Sequence, residues 1–123
     1  MYYYISENDL LDKSHFPVEA LFNEAANTGL VEFISNLIDE TGSGFDFTSC
    51  SFWSELDEFD RQSVSEFSGL LIETEAGELF TASPDILQYY IELGCKRYTE
   101  RFPDKDETIS GLLCKFSEKY GLV

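Results

Sequence analysis

Residues 67–82 read FSGLLIETEAGELFTA, and this stretch decides the fold class. Two strand-like runs, at 67–74 and 77–82, are separated by a Glu-Ala-Gly sequence at 75–77 that is typical of a hairpin turn. Upstream, aromatic and polar residues alternate at 45–48, which predicts a further strand. Three neighbouring strands of this kind predict a small antiparallel sheet.

Helical periodicity precedes this sheet. Pro17 suits the first position of a helix, which makes Phe16 the candidate N-cap, and the apolar spacing continues up to Gly29. Gly29 is able to adopt a left-handed cap there. Apolar residues at helical spacing in 30–38 predict a second helix, which ends in the loop at 41–44.

Helical periodicity returns after the sheet. Ser83 is a good N-cap and Pro84 a good first helical residue, so a long helix is predicted to begin there. Gly94 lies inside this helix, where it suggests the close approach of another element. Pro103 ends the helix. A last amphipathic helix follows and is closed by Gly121.

The length and composition fit one folded domain. The chain has 123 residues, of which 43% are hydrophobic and 15% aromatic, whereas a disordered acidic tail would lack these side chains. We therefore expect an α+β domain over residues 1–123. It should contain two N-terminal helices, a small antiparallel sheet of about three strands and two C-terminal helices.

The charge is strongly negative and unevenly distributed. The chain has 24 Asp and Glu against 8 Lys and Arg, for a net charge of −16. Residues 1–95 carry 19 acidic and 2 basic side chains, whereas residues 96–123 carry 5 and 6. Such a field disfavours nucleic acid and anionic membrane surfaces as partners. It favours a cationic protein and accelerates the encounter roughly 10- to 1000-fold at low salt.

The cysteines and the apolar segments suggest a cytoplasmic protein. An odd count of three (Cys50, Cys95 and Cys114) gives no disulfide framework, and the last two fall on apolar helical faces typical of buried thiols. The sequence has no signal-peptide pattern at its start and no apolar run of 18 residues, so we expect no membrane association. A reducing compartment fits these features.

Candidate catalytic groups are weak. Carboxylate pairs are frequent in so acidic a chain, and His15 has no neighbouring nucleophile motif, so we expect no enzyme activity, no cofactor and no metal site. Two alternatives stay open. One is a small hydrolase that uses a carboxylate pair or a metal. The other is a nucleic-acid mimic that binds some other basic protein.

An acidic, aromatic segment is the best candidate for a binding site. Trp53 is followed closely by Glu55, Asp57, Glu58 and Asp60. Protein interfaces draw their affinity from a few aromatic anchors and desolvated charge pairs, so this segment could fill a basic cleft such as the active site of a nuclease. A core position for Trp53 and a solvated loop for the acids are the alternatives.

Several short features together resemble a known family. They are the helix end at 27–29, the second helix end at 42–45, Cys50-Ser51-Phe52-Trp53, the acidic run at 55–59, the strand pair around 67–70 and 78–80, and the helix from 83 to 103. From about residue 20 to 116 the chain resembles the immunity proteins of bacterial contact-dependent growth inhibition (CDI) systems that protect against ribonuclease toxins.

The resemblance implies a specific inhibitor. Such a protein would bind the toxic C-terminal domain of an incoming toxin in the cytoplasm and block its RNA-cleaving site without a cofactor. The positions that would contact the toxin are Trp53, Glu55, Asp57, Glu58 and Asp60.

Overall fold

Helices precede and follow an antiparallel sheet along the chain in the computed structural model, which describes residues 1–122. The elements are α1 (Phe16–Thr28), α2 (Leu30–Ile38), β1 (Ser43–Gly44), β2 (Thr48–Ser51), α3 (Glu58–Arg61), β3 (Leu70–Thr74), β4 (Leu79–Ala82), α4 (Pro84–Arg101) and α5 (Asp106–Tyr120). Short 3-10 helices occupy Glu7–Asp9, Lys13–His15, Trp53–Glu55 and Pro103–Lys105. The order of the elements confirms the predicted α+β class.

The sheet has the order β1-β2-β3-β4, and every neighbouring pair is antiparallel. Its described strands number four instead of about three, because the two-residue β1 pairs with β2. The strand predicted at 45–48 is misplaced. The Phe45 N–H donates to the carbonyl of Thr48 at 2.8 Å, so this stretch is the turn between β1 and β2. The alternation of aromatic and polar residues does not follow burial here, because Phe45 packs on Phe33 whereas Phe47 is exposed.

Side chains of the sheet alternate between two faces. The inner face packs against α1 through Cys50, Leu70, Ile72 and Ala82, which are all buried. The outer face is defined here by the intervening positions, which are Ser49, Ser51, Leu71, Glu73, Leu79 and Thr81. These positions are half-buried or exposed, so the outer face is open to a partner.

The helix ends differ from prediction at two places. Phe16 is the first residue of α1, and His15 takes the cap position that was predicted for Phe16. Gly29 has an extended backbone, with φ 179°, so the left-handed cap predicted there is wrong. Its N–H donates to the carbonyl of Ala25 and its own carbonyl accepts from Phe33 N–H, so α1 passes into α2 through a single residue.

Two glycines in the C-terminal helices behave as predicted. Gly94 is buried where α4 meets α1, and a Cβ atom at this position would collide with the ring of Phe22. Gly121 closes α5 in the left-handed conformation, with φ 68°.

The segment before the first 3-10 helix, residues 2–5, is hydrogen-bonded to side chains of α1. Tyr4 and Ile5 are buried in the core, and Asn23 of α1 binds their backbone. Asn23 Oδ1 accepts from the N–H of Tyr4 at 2.9 Å and of Ile5 at 3.1 Å, while its Nδ2 donates to the carbonyl of Ile5 at 2.9 Å. One turn later, Asn27 makes a similar but exposed pair of bonds to the backbone of Tyr2.

Two of the three cysteines are buried. Burial raises the pKa of Cys50 to about 11 and that of Cys95 to about 12, so both stay as thiols at neutral pH. Cys114 is exposed, which contradicts its predicted burial, because α5 turns Ile109 and Phe116 toward the core instead. None of the helices in residues 1–122 is long and apolar enough to cross a membrane.

Candidate functional site

The candidate site is built around the acidic segment, defined here as residues 53–61. It begins with the 3-10 helix Trp53–Glu55 and ends with the one-turn helix α3. Asp57 caps α3, since its Oδ1 accepts from the Asp60 N–H at 2.7 Å. The cap fixes the direction of the turn that carries Glu58 and Asp60. Asp57 therefore positions the carboxylates that follow it.

Glu55 is committed to bonds within the protein. Its Oε1 accepts from the N–H of Phe52 at 2.9 Å, and its Oε2 accepts from the N–H of Gly42 at 2.9 Å. The carboxylate thus joins the acidic segment to the loop after α2. Although the residue is exposed, each of its carboxylate oxygens accepts a backbone N–H, so the side chain fixes the geometry of the segment.

Glu58 and Asp60 are available to a partner. Both are exposed, and the ion pairs found within residues 1–122 involve neither of them. Two anionic side chains on one short turn keep their hydration in the free protein. They can exchange it for cationic groups of a bound protein.

Trp53 is neither fully buried nor a free anchor. Trp53 is half-buried. Its ring packs edge to face with that of Phe67, with 5.6 Å between the ring centroids, and the Arg61 guanidinium lies over the Trp53 ring, 4.9 Å from its centroid. Arg61 Nη2 also donates to the Trp53 carbonyl at 2.9 Å. Phe59, by contrast, is 76% exposed at the centre of α3. The more accessible aromatic side chain of this segment is therefore Phe59, which the sequence did not single out as a site residue.

The acidic segment borders a groove on the outer face of the sheet. This outer groove has a volume of about 320 Å³ and is lined by Ser49, Ser51, Leu56, Asp60, Ser63, Val64, Leu71, Glu73 and Leu79. An adjoining depression continues past Val64 toward Phe67 and Thr81. Of the predicted site residues, Asp60 lines the outer groove. Glu73 of β3 lines the same groove.

His15 has an internal hydrogen bond. Its Nδ1 lies 2.7 Å from the Tyr90 hydroxyl oxygen, and this oxygen accepts from the Leu11 N–H at 2.8 Å. The histidine thereby joins the segment before α1 to α4. Within residues 1–122, no three His, Cys, Asp or Glu side chains are grouped so that they could hold a metal ion.

One family matches almost the whole of this arrangement. The family described as CDI immunity protein matches residues 7–113, which include the sheet, the acidic segment and α1 to α4. The chain belongs to this family. A search of curated proteins gave no match. Membership makes this an immunity protein whose partner is a cognate toxin, and it points to a protective role, not a catalytic one.

Proposed function

We propose that this immunity protein neutralises a ribonuclease toxin in the cytoplasm by covering the toxin's basic cleft with its acidic surface. The observation that carries the proposal is the family match over residues 7–113. The net charge of −16 supports the ribonuclease part, because a protein that binds RNA phosphates presents cationic side chains. Carboxylates of the immunity protein would then take the positions of those phosphates.

The acidic segment provides suitable groups for this contact. Glu58 and Asp60 are the carboxylates free to pair with the toxin, whereas Glu55 and Asp57 hold the segment in shape. Trp53 stabilises the segment through Arg61, which stacks on its ring and donates to its carbonyl. A surface that is ordered before binding loses little conformational entropy on association, which raises affinity.

The test uses the toxin domain encoded beside the immunity protein. Co-expression should give a complex that survives purification at moderate salt, and it should restore growth of cells that produce the toxin. The purified toxin domain should degrade RNA, and addition of the immunity protein should stop it. Absence of both complex and rescue would contradict the immunity proposal. A toxin that binds but attacks another substrate would contradict only its ribonuclease part.

A further inference from the structure

The outer groove exposes aliphatic side chains in an otherwise acidic surface. Leu79 is 54% exposed at the start of β4, where it lies opposite Glu73, and Leu71 of β3 is its diagonal neighbour on the same face. Leu56 and Val64 complete the apolar lining from the segment that crosses this side of the sheet. Removal of exposed aliphatic groups from water by a partner lowers the free energy of the complex, so such a groove favours binding.

The polar lining of the same groove is entirely neutral or anionic. Asp60 and Glu73 are its charged groups, three serines add hydroxyls, and neither Lys nor Arg is among its lining residues in the described chain. The ion pairs found within residues 1–122 leave both carboxylates unpaired. The groove thus combines an apolar floor with two carboxylates that lack a counter-charge.

We infer that the outer groove receives an arginine side chain of the toxin. The inference rests on the proposed function, since it names the chemistry of the toxin group that binds at this site. The aliphatic stem of the arginine lies on Leu71 and Leu79, and its guanidinium is held by Asp60 and Glu73. Arginine suits both parts, because its stem buries readily and its weakly hydrated, planar head donates five hydrogen bonds to carboxylates.

A second apolar patch provides an internal comparison. Phe16 and Phe47 are exposed beside Glu75 and Glu78, at the hairpin between β3 and β4. This patch lies outside the outer groove and shares no lining residue with it. The outer groove is favoured because Leu56 and Asp60 of the acidic segment line it, whereas no residue of that segment lines the second patch.

The experiment measures binding of the full chain to the neighbouring toxin domain by surface plasmon resonance. Leu79→Thr and Glu73→Gln should each weaken affinity at least tenfold, mainly through faster dissociation. Their matched controls are Phe47→Thr, since Phe47 is 53% exposed and Leu79 54%, and Glu75→Gln, two residues along the chain. Both controls should stay within about threefold of the wild type.

A scan of the toxin's arginines completes the test. One Arg→Ala change should weaken binding, and its effect should largely disappear in the Glu73→Gln background, because the two changes remove the same contact. If the wild type binds the toxin and both Leu79→Thr and Glu73→Gln bind it with the same affinity as the wild type, this inference alone is overturned. Stronger losses in the Phe47 and Glu75 variants overturn it as well.

Two further outcomes distinguish a failure of this inference from a failure of the proposed function. If the wild type forms no complex, the proposed function fails, and this inference with it. If Leu79→Thr does not fold, Glu73→Gln decides, because an exposed glutamine in place of a glutamate leaves the core untouched.

Discussion

A single buried amide holds the start of the chain in place. Asn23 is 3% exposed and binds three backbone groups of Tyr4 and Ile5, whose side chains fill the core beside α1. The backbone of this segment belongs to no strand, so it depends on this side chain for hydrogen bonds that a sheet would otherwise provide.

Replacement of this amide should be costly. Asn23→Ala leaves two N–H groups and one carbonyl without their partner, and we expect the free energy of unfolding to fall by about 2–4 kcal/mol. Urea unfolding measures the change. The matched control is Asn27→Ala, whose bonds to Tyr2 are exposed and replaceable by water, and which should lose less than about 1 kcal/mol. Equal losses in the two variants would contradict the assigned role.

A second residue-scale contact makes stability depend on pH. Arg97 binds both carboxylate oxygens of Asp9, with Nη2 to Oδ1 at 2.9 Å and Nη1 to Oδ2 at 2.5 Å. Hydrogen bonds from Arg97, with help from the Ser6 N–H, hold the pKa of Asp9 well below its ordinary value of 3.8. The folded state therefore favours the charged carboxylate more strongly than the unfolded state does.

The sign of the effect follows from this lowered pKa. The stabilisation is fully present above the unfolded-state pKa and is lost as the pH falls toward the folded-state pKa. At neutral pH, Asp9→Asn should reduce stability by about 1 kcal/mol, a value kept small because Arg97 is partly exposed. The difference between wild type and variant should shrink in urea titrations below about pH 4. A difference independent of pH would show that the ion pair does not contribute.

At the scale of elements, the contact between α1 and α4 depends on the absence of one side chain. A Cβ at Gly94 would collide with the ring of Phe22, which is itself buried between the helices. Gly111 in α5 offers the opposite case, because a Cβ there meets no atom within 4 Å.

The two glycines should respond with opposite signs. Gly94→Ala should destabilise the protein by about 1–3 kcal/mol, because the overlap with Phe22 outweighs the gain in helix propensity. Gly111→Ala should stabilise it by up to about 1 kcal/mol, since only the propensity changes. Thermal unfolding of both variants tests the pair. A stabilised Gly94→Ala would mean that α1 and α4 can separate without cost.

The elements that the sequence predicted well are those marked by apolar periodicity or by a helix start signal such as Ser83-Pro84. α2 spans the predicted residues 30–38, and α4 begins at the predicted Pro84. The misplaced strand at 45–48 shows the limit, because the aromatic residues alternate there although only Phe45 packs on the core and Phe47 is exposed in the turn.

The candidate site was only partly visible for a different reason. Asp60 stood out in the sequence because acids cluster around it. Glu73 and Leu79 lie in other segments, and only the register of β3 and β4 brings them to the same groove. The hydrogen bonds of Glu55 were also hidden, because they depend on where Gly42 lies after folding.

At the scale of the whole molecule, the position of charge matters as well as its total. Glu58→Lys with Asp60→Lys changes the net charge by four units, and so does Glu92→Lys with Glu118→Lys. The second pair lies on exposed positions of α4 and α5, outside the acidic segment. The two double variants therefore alter the overall field equally but change different surfaces.

Their effects on toxin binding should differ. The variant in the acidic segment should associate about tenfold more slowly, with a flatter dependence on salt, because the local field that steers the encounter is lost. The variant in α4 and α5 should slow association less, by about threefold or under. Stopped-flow kinetics at several salt concentrations compare them. Equal association rates for the two double variants would show that only the total charge determines the rate of encounter.

The alternation of side chains along β2 and β3 has a consequence for how such a protein can diverge. Every second position, such as Leu71 and Glu73, faces outward, while the positions between them, such as Leu70 and Ile72, form the core. On the proposed contact with the toxin, substitutions that follow a changing toxin can accumulate at the outward-facing residues while the core residues between them stay the same. The same proposal implies that toxin specificity and the stability of the core depend on different residues of one strand, so that recognition of the toxin can change without a change of fold.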